Sequence, residues 1–183
     1  MSWIDDRIAE LRELDATIRA EFLHLTPEQS NVKPGPRKWS INECFDHLIQ
    51  TSRSYESIFE DLERGTLSLS WASRIPLLPK AMGRMVLKVV SPDYAGKNKA
   101  PTLFTPTASQ FDRNLSQDLL QANADLAAHL EKCADEDLDR TTVPSPLTPF
   151  VTYSLRDCIL VLVEHEKRHL NQADRVRTAL AVV

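Results

Sequence analysis

An all-α fold, four long helices in one bundle, is what this sequence predicts. Three observations predict it. Only 4 glycines occur in 183 residues. The long apolar stripes advance by three and four residues rather than by two, and capping signals stand at the start of most of them. No repeat of fixed period is present, so a single bundle spanning 1–183 is expected rather than a solenoid.

The first helix is expected from about Ser2 to His24, with Ile4, Ile8, Leu11, Leu14, Ile18, Phe22 and Leu25 along one face. A Pro-rich break, TPEQSNVKPGPRK, follows it. The second helix opens at Trp39-Ser40-x-x-Glu43, where Ser40 can cap the Glu43 amide, Glu43 can reach back, and Trp39 sits as a hydrophobic staple. Its stripe reads Ile41, Cys44, Phe45, Leu48, Ser52, Tyr55, Phe59 and Leu62, and Gly65 supplies a left-handed stop. From Thr66 to Pro106 prolines break the pattern. A long crossover is expected there, with one short helix near Lys80 to Val90. Thr107-x-x-Gln110 reads as another capping box, opening a third long helix through Phe111, Leu115, Leu119, Ala122, Leu126 and Leu130 to Cys133. After acidic turns and VPSPLTP, Tyr153-Ser154-x-x-Asp157 opens the fourth, which continues to about Leu180.

Net charge is -4 with both signs interleaved, so no electrostatic footprint for nucleic acid exists. The longest apolar runs fall far short of the roughly 20 residues that span a bilayer. The acidic start MSWIDDRIAE lacks the basic and apolar regions of a signal peptide, which leads to an expectation of a cytoplasmic protein. Cys44, Cys133 and Cys158 are odd in number and widely spaced, as suits buried reduced thiols.

The chemistry lies in the histidines. The inward stripe of the fourth helix runs Leu155, Cys158 or Ile159, Leu162, His165, His169, Ala173, Val176 and Leu180. Two imidazoles thus stand where the pattern calls for aliphatic side chains, four apart and on one face, able to meet one ion about 2 Å from each nitrogen. Two readings stand side by side, metal ligands or core histidines satisfied by protein partners, because a buried imidazole left unpaired is costly. The string HEKRH also fits H-E-x-x-H, which makes Glu166 a candidate protease base. His47 lies about 60° from Cys44 and Leu62 on the second helix, at the border of its buried stripe. It is either structural or a third ligand, with Cys44 as an alternative donor. His24 and His129 sit near helix C-termini, where a cation is favoured. The tryptophans and the Met82 and Met85 pair read as packing residues, with the basic apolar crossover as an alternative cover for a substrate pocket.

Taken together, KWSINECFDHL, KAPTLFTP and HEKRHLNQADRVR resemble the DinB-like superfamily of metal-binding four-helix bundles over nearly the whole chain. The resemblance implies up-down-down-up topology, frequent homodimers, and one divalent metal, commonly zinc or nickel, held by His47, His165 and His169. It also demotes Glu166 as a protease base. Relatives implied by it include S-transferases using a low-molecular-weight thiol such as bacillithiol, mycothiol or glutathione, a mycothiol-dependent maleylpyruvate isomerase, and proteins labelled metal-dependent hydrolases. The expectation is therefore a metal-dependent enzyme that transfers a thiol to a small-molecule electrophile. Hydrolysis through activated water and a non-catalytic metal- or ligand-binding role are the rivals.

Overall fold

In the computed structural model, residues 2–75, 77–94, 96 and 101–179 are described. Helix α1 spans Trp3–Glu21, α2 Pro27–Asn31, α3 Ile41–Glu63, α4 Leu78–Val90, α5 Ser116–Lys132 and α6 Leu155–Ala179. A two-stranded antiparallel sheet, β1 Thr142–Ser145 and β2 Thr148–Ser154, stands between α5 and α6. The fold is mostly helical, with α3 against α5 and α6, and α1 against the same two. The expected end of the last helix, Leu180, lies outside the described residues.

Local chemistry sets several boundaries where the sequence places them. Ser40 Oγ accepts from the Glu43 amide at 3.2 Å while Glu43 accepts from the Ser40 amide at 2.8 Å, so α3 begins with a complete capping box. Lys33 binds the second Glu43 oxygen at 2.6 Å. At the other end Gly65 takes φ +67°, and the Gly65 and Thr66 amides return to the Leu62 and Asp61 carbonyls. That is a Schellman stop, which needs a left-handed residue at this place. Helix α1 opens with its own box, Ser2 with Asp5, and α4 starts two residues before the expected point.

Three expectations need correction. The third long helix does not begin at Thr107. It begins at Ser116, because tertiary partners claim the preceding backbone. Asn31 exchanges two hydrogen bonds with the Phe111 backbone, Asn42 binds the Arg113 carbonyl and the Leu115 amide, and Asp46 accepts from the Thr107 amide. These bonds hold residues 107–115 in irregular conformation against α2 and α3. The segment read as turns before the last helix contains the β1–β2 hairpin, so the fold is not wholly α. Pro144 in β1 and Pro149 in β2 disguise it, since proline within a run argues against a strand. The Pro-rich break after α1 also holds the five-residue α2, started by a Thr26 and Gln29 box with Pro27 in the first turn.

The apolar interior falls into two clusters. One collects Ile4, Leu11, Phe59, Leu130, Val143 and Ile159, the other Ile18, Phe22, Phe45, Leu119, Leu170 and Val176. Between them lies a polar layer with a contribution from each long helix: Asp15, Thr51, Asn123, and His165 with Glu166. Asn123 donates to Asp15 at 2.7 Å and to Glu166 at 2.6 Å, which satisfies a buried carboxyl without a cation.

Because Asn42 is fully buried and carries the tether of residues 113–115, Asn42→Ala leaves an amide and a carbonyl without partners. A loss of about 1–3 kcal/mol is expected in urea unfolding. An unchanged midpoint would contradict the tether.

Candidate metal centre

The capping box at Ser40 sets the register of α3, and two turns later His47 points into the interior. On α6 the i, i+4 spacing places His165 and His169 on the same side, opposite His47. The three ring centroids form a near-equilateral triangle with sides of 4.4, 4.6 and 4.8 Å. One nitrogen from each ring lies within 4.8 Å of the other two, and His47 Nε2 and His165 Nε2 are 3.0 Å apart. The structure thus brings together all three predicted residues. They could hold a metal ion.

Each ring is constrained differently. The Phe104 carbonyl can only accept, so His47 Nδ1 carries the proton and donates to it. His47 Nε2 is then a lone pair facing the other two rings. His169 is buried, and its Nδ1 makes no hydrogen bond among the described residues. His165 is half-buried, leaving the trio a solvent-facing side. Trp39 lies beside the group, 4.9 Å from the His47 ring and 5.7 Å from that of His169.

Electrostatics keeps the rings neutral. Burial pulls His47 below its ordinary value, partly offset by the Phe104 carbonyl. Burial, then His47 and Arg168, take His165 down to about 3. Burial and the two neighbouring imidazoles push His169 well down as well. Unprotonated imidazole is the form that ligates metal. The donor set suits zinc, nickel or copper better than magnesium or calcium, which prefer oxygen. Nitrogens sharing a tetrahedral ion at about 2.0–2.1 Å stand about 3.3 Å apart. The closest pair is already near that spacing, so ångström-scale side-chain movement suffices for the third.

Nearby groups have other tasks. Asp46 accepts from Gln50 and from the Thr107 amide and hydroxyl. Glu166 faces Asn123 rather than the histidine nitrogens, and burial raises its carboxyl to about 8. A base for the H-E-x-x-H protease reading is therefore turned away. Cys44 is buried in the apolar interior, its thiol pushed far up by burial, and is not part of the histidine group. His129 stacks on Phe59 and meets Glu63 at 2.7 Å, while His24 is exposed. Cys133 and Cys158 are buried free thiols, as expected.

Three contributors escaped the sequence. The Phe104 carbonyl is a backbone atom and leaves no residue-type signal. Trp39 reads as a staple, yet it also flanks the imidazoles. Arg168, inside HEKRH, donates through Nη1 to the Val89, Ser91 and Tyr94 carbonyls at 3.3, 2.8 and 3.2 Å, tying α6 to the end of α4. A cation is favoured at such a helix C-terminus. Its string was visible, but its partners come from a segment about 75 residues away.

Comparison with known proteins adds a family. Residues 10–173 match the family model of the DinB superfamily. An uncharacterized protein of Bacillus subtilis (strain 168), YuaE, is 28% identical over 163 residues, covering 86% of this chain and 88% of its own. No solved structure matches the chain.

The buried carboxyl and the depressed imidazoles pull the pH dependence of stability in opposite directions. Glu166 holds its proton to about pH 8 when folded, against about 4.3 unfolded, so its share of stability is present at low pH and lost as pH rises through that window. The imidazoles are neutral when folded and protonate near 6.5 when unfolded, so they cost stability as pH falls below that value. Glu166→Gln should therefore flatten the alkaline decline between pH 5 and 8 in metal-free urea titrations and keep the acid decline. A variant curve parallel to wild type would refute the buried neutral carboxyl.

Proposed function

The chain belongs to the DinB superfamily, and on that premise we propose that it holds one divalent ion on His47, His165 and His169 and transfers a low-molecular-weight thiol to a small electrophile. In this reading α1, α3, α5 and α6 form a four-helix bundle running up, down, down and up in a single domain, with zinc or nickel as the ion. The observation that carries the metal is the convergence of three neutral imidazoles, two of them buried, with one buried nitrogen that makes no hydrogen bond among the described residues.

Three neutral ligands leave an ion its full charge and an open position, where it lowers the pKa of a thiol or a water that reaches it. The protein's own part is to fix the ligands. Phe104 selects the His47 tautomer, and the i, i+4 spacing presents His165 and His169 together. His165, the least buried of the three, marks the side from which a substrate enters.

A thiol is favoured over water by what surrounds the imidazoles. Asp46, Glu164 and Glu166, the acidic residues flanking His47 and His165 in sequence, are engaged with Thr107, Lys167 and Asn123 instead. With no flanking carboxylate free as a base, loss of the nucleophile's proton would rest on the ion alone. A thiol, which starts from a far lower pKa than water, would need the smaller shift.

Elemental analysis of protein made without a polyhistidine tag should find about one metal per chain. His169→Ala should abolish it. Affinity order alone favours copper over nickel and zinc, so the analysis is made against competing ions. Zinc at about 100 times its dissociation constant should add about 2.7 kcal/mol to wild-type stability and add nothing to His47→Ala. A metal-free protein with wild-type melting in zinc would sink the site.

The reaction is tested with the metal-loaded protein and a panel of thiols, offered with epoxides and aromatic halides. Turnover that requires one thiol supports the transferase. Ester or amide hydrolysis indifferent to every thiol would replace it with a hydrolase, and metal binding without any turnover would favour a non-catalytic role.

A further inference from the structure

The exposed apolar side chains of this protein are not scattered. Of ten large hydrophobics that stand exposed among the described residues, seven fall in two stretches, residues 69–85 and 147–150. Trp71 is 67% exposed, Leu77 76%, Met85 52% and Phe150 57%. Single exposed hydrophobics need no explanation, but a cluster does. The elements that carry them pack on one another: the 3-10 turn Trp71–Arg74 against β2, and α4 against both.

Charge on these elements themselves has one sign. From Gly65 to Pro92 the chain has Arg74, Lys80, Arg84 and Lys88 and no carboxylate, and the hairpin from Thr141 to Leu155 has no charged residue at all. The whole chain nevertheless has 26 acidic against 22 basic residues. On α4 the outward side chains are Lys80, Ala81, Arg84, Met85 and Lys88, spaced by three and four, with Leu77 at the cap. Two carboxylates lie near this face, and one of them is paired. Asp157 lies against Gly83, where an added Cβ would come within 2.9 Å of the Asp157 Cβ. Asp139 is paired with Arg156 at 2.8 Å.

We propose that the face formed by Trp71, Leu77, Met85, Phe150 and the outward cations of α4 docks on an anionic lipid bilayer surface. Two features select that occupant. A second copy meeting this face through a two-fold axis would set three cations against the same three, and lysine is depleted at the centre of protein interfaces. A bilayer takes the mixture as it stands. Apolar tips enter the headgroup boundary while lysine and arginine stems reach the lipid phosphates. No helix among the described residues is long and apolar enough to cross a membrane, so the contact is peripheral. The face is independent of the three histidines and of what they bind.

The test uses the full chain with vesicles of phosphatidylcholine alone or mixed with phosphatidylglycerol. Cosedimentation at low salt should be about tenfold or more stronger on the mixed vesicles and should fall as salt rises. The triple variant Lys80→Glu, Arg84→Glu, Lys88→Glu should lose that binding, and Trp71→Ser should weaken it several-fold. Both changes lie on exposed positions, and circular dichroism and melting check that the fold persists. Equal or absent binding to the two vesicle types would overturn the proposal. So would mixed-vesicle binding that survives charge reversal. A sedimentation-equilibrium dimer dispersed by Trp71→Ser would assign the face to a second copy instead. Capture of polyglutamate without vesicle binding would assign it to an acidic protein.

Discussion

Three imidazoles meet between α3 and α6 with no carboxylate among the described residues bonded to any of them, and the rest of the structure accommodates that constraint. Protonating one would place a cation against two neighbours and away from water, so the rings stay neutral. Neutral rings must then spend their lone pairs. His47 donates to Phe104 and turns its free nitrogen towards His165, while the buried His169 Nδ1 makes no hydrogen bond among the described residues. A shared cation could take up these lone pairs, and for that reason the geometry reads as a candidate ligand set.

The polar layer explains how such a site is tolerated between two apolar clusters. Asp15, Thr51, Asn123 and Glu166 come from four different helices, and the apolar residues resume on both sides of them along every one. Breaking the stripe at the same level in each helix confines the cost of polar burial to one layer, where partners are at hand. Glu166 is neutral there through burial and hydrogen-bonded by Asn123. Adjacent residues of α6 thus serve different purposes, His165 towards the imidazoles and Glu166 towards α5.

What the sequence discloses follows the range of the interaction. The i, i+4 pair, the α3 cap and the Gly65 stop are local, and they stand in the chain as spacing and residue type. His47 is less legible, since a border position on one helix says nothing of what faces it. Its place beside His165 depends on how α3 packs against α6. The start of α5 misleads for the converse reason. Thr107 and Gln110 have the right letters for a cap, but Asn31, Asn42 and Asp46 offer the same backbone better-placed partners from far away. The hairpin is hidden by its prolines. Trp71 and Met85, which read as packing residues, lie on the outside, because prolines break the crossover into short pieces whose apolar residues do not disclose from the sequence which of them face inward.

The central claim is that His47, His165 and His169 ligate one ion together. X-ray absorption at the metal edge of the loaded protein tests it most directly. The account predicts three imidazole nitrogens at about 2.0–2.1 Å with lighter oxygen scattering in the remaining position. A sulfur shell near about 2.3 Å, or a spectrum with fewer than three imidazoles, would contradict it.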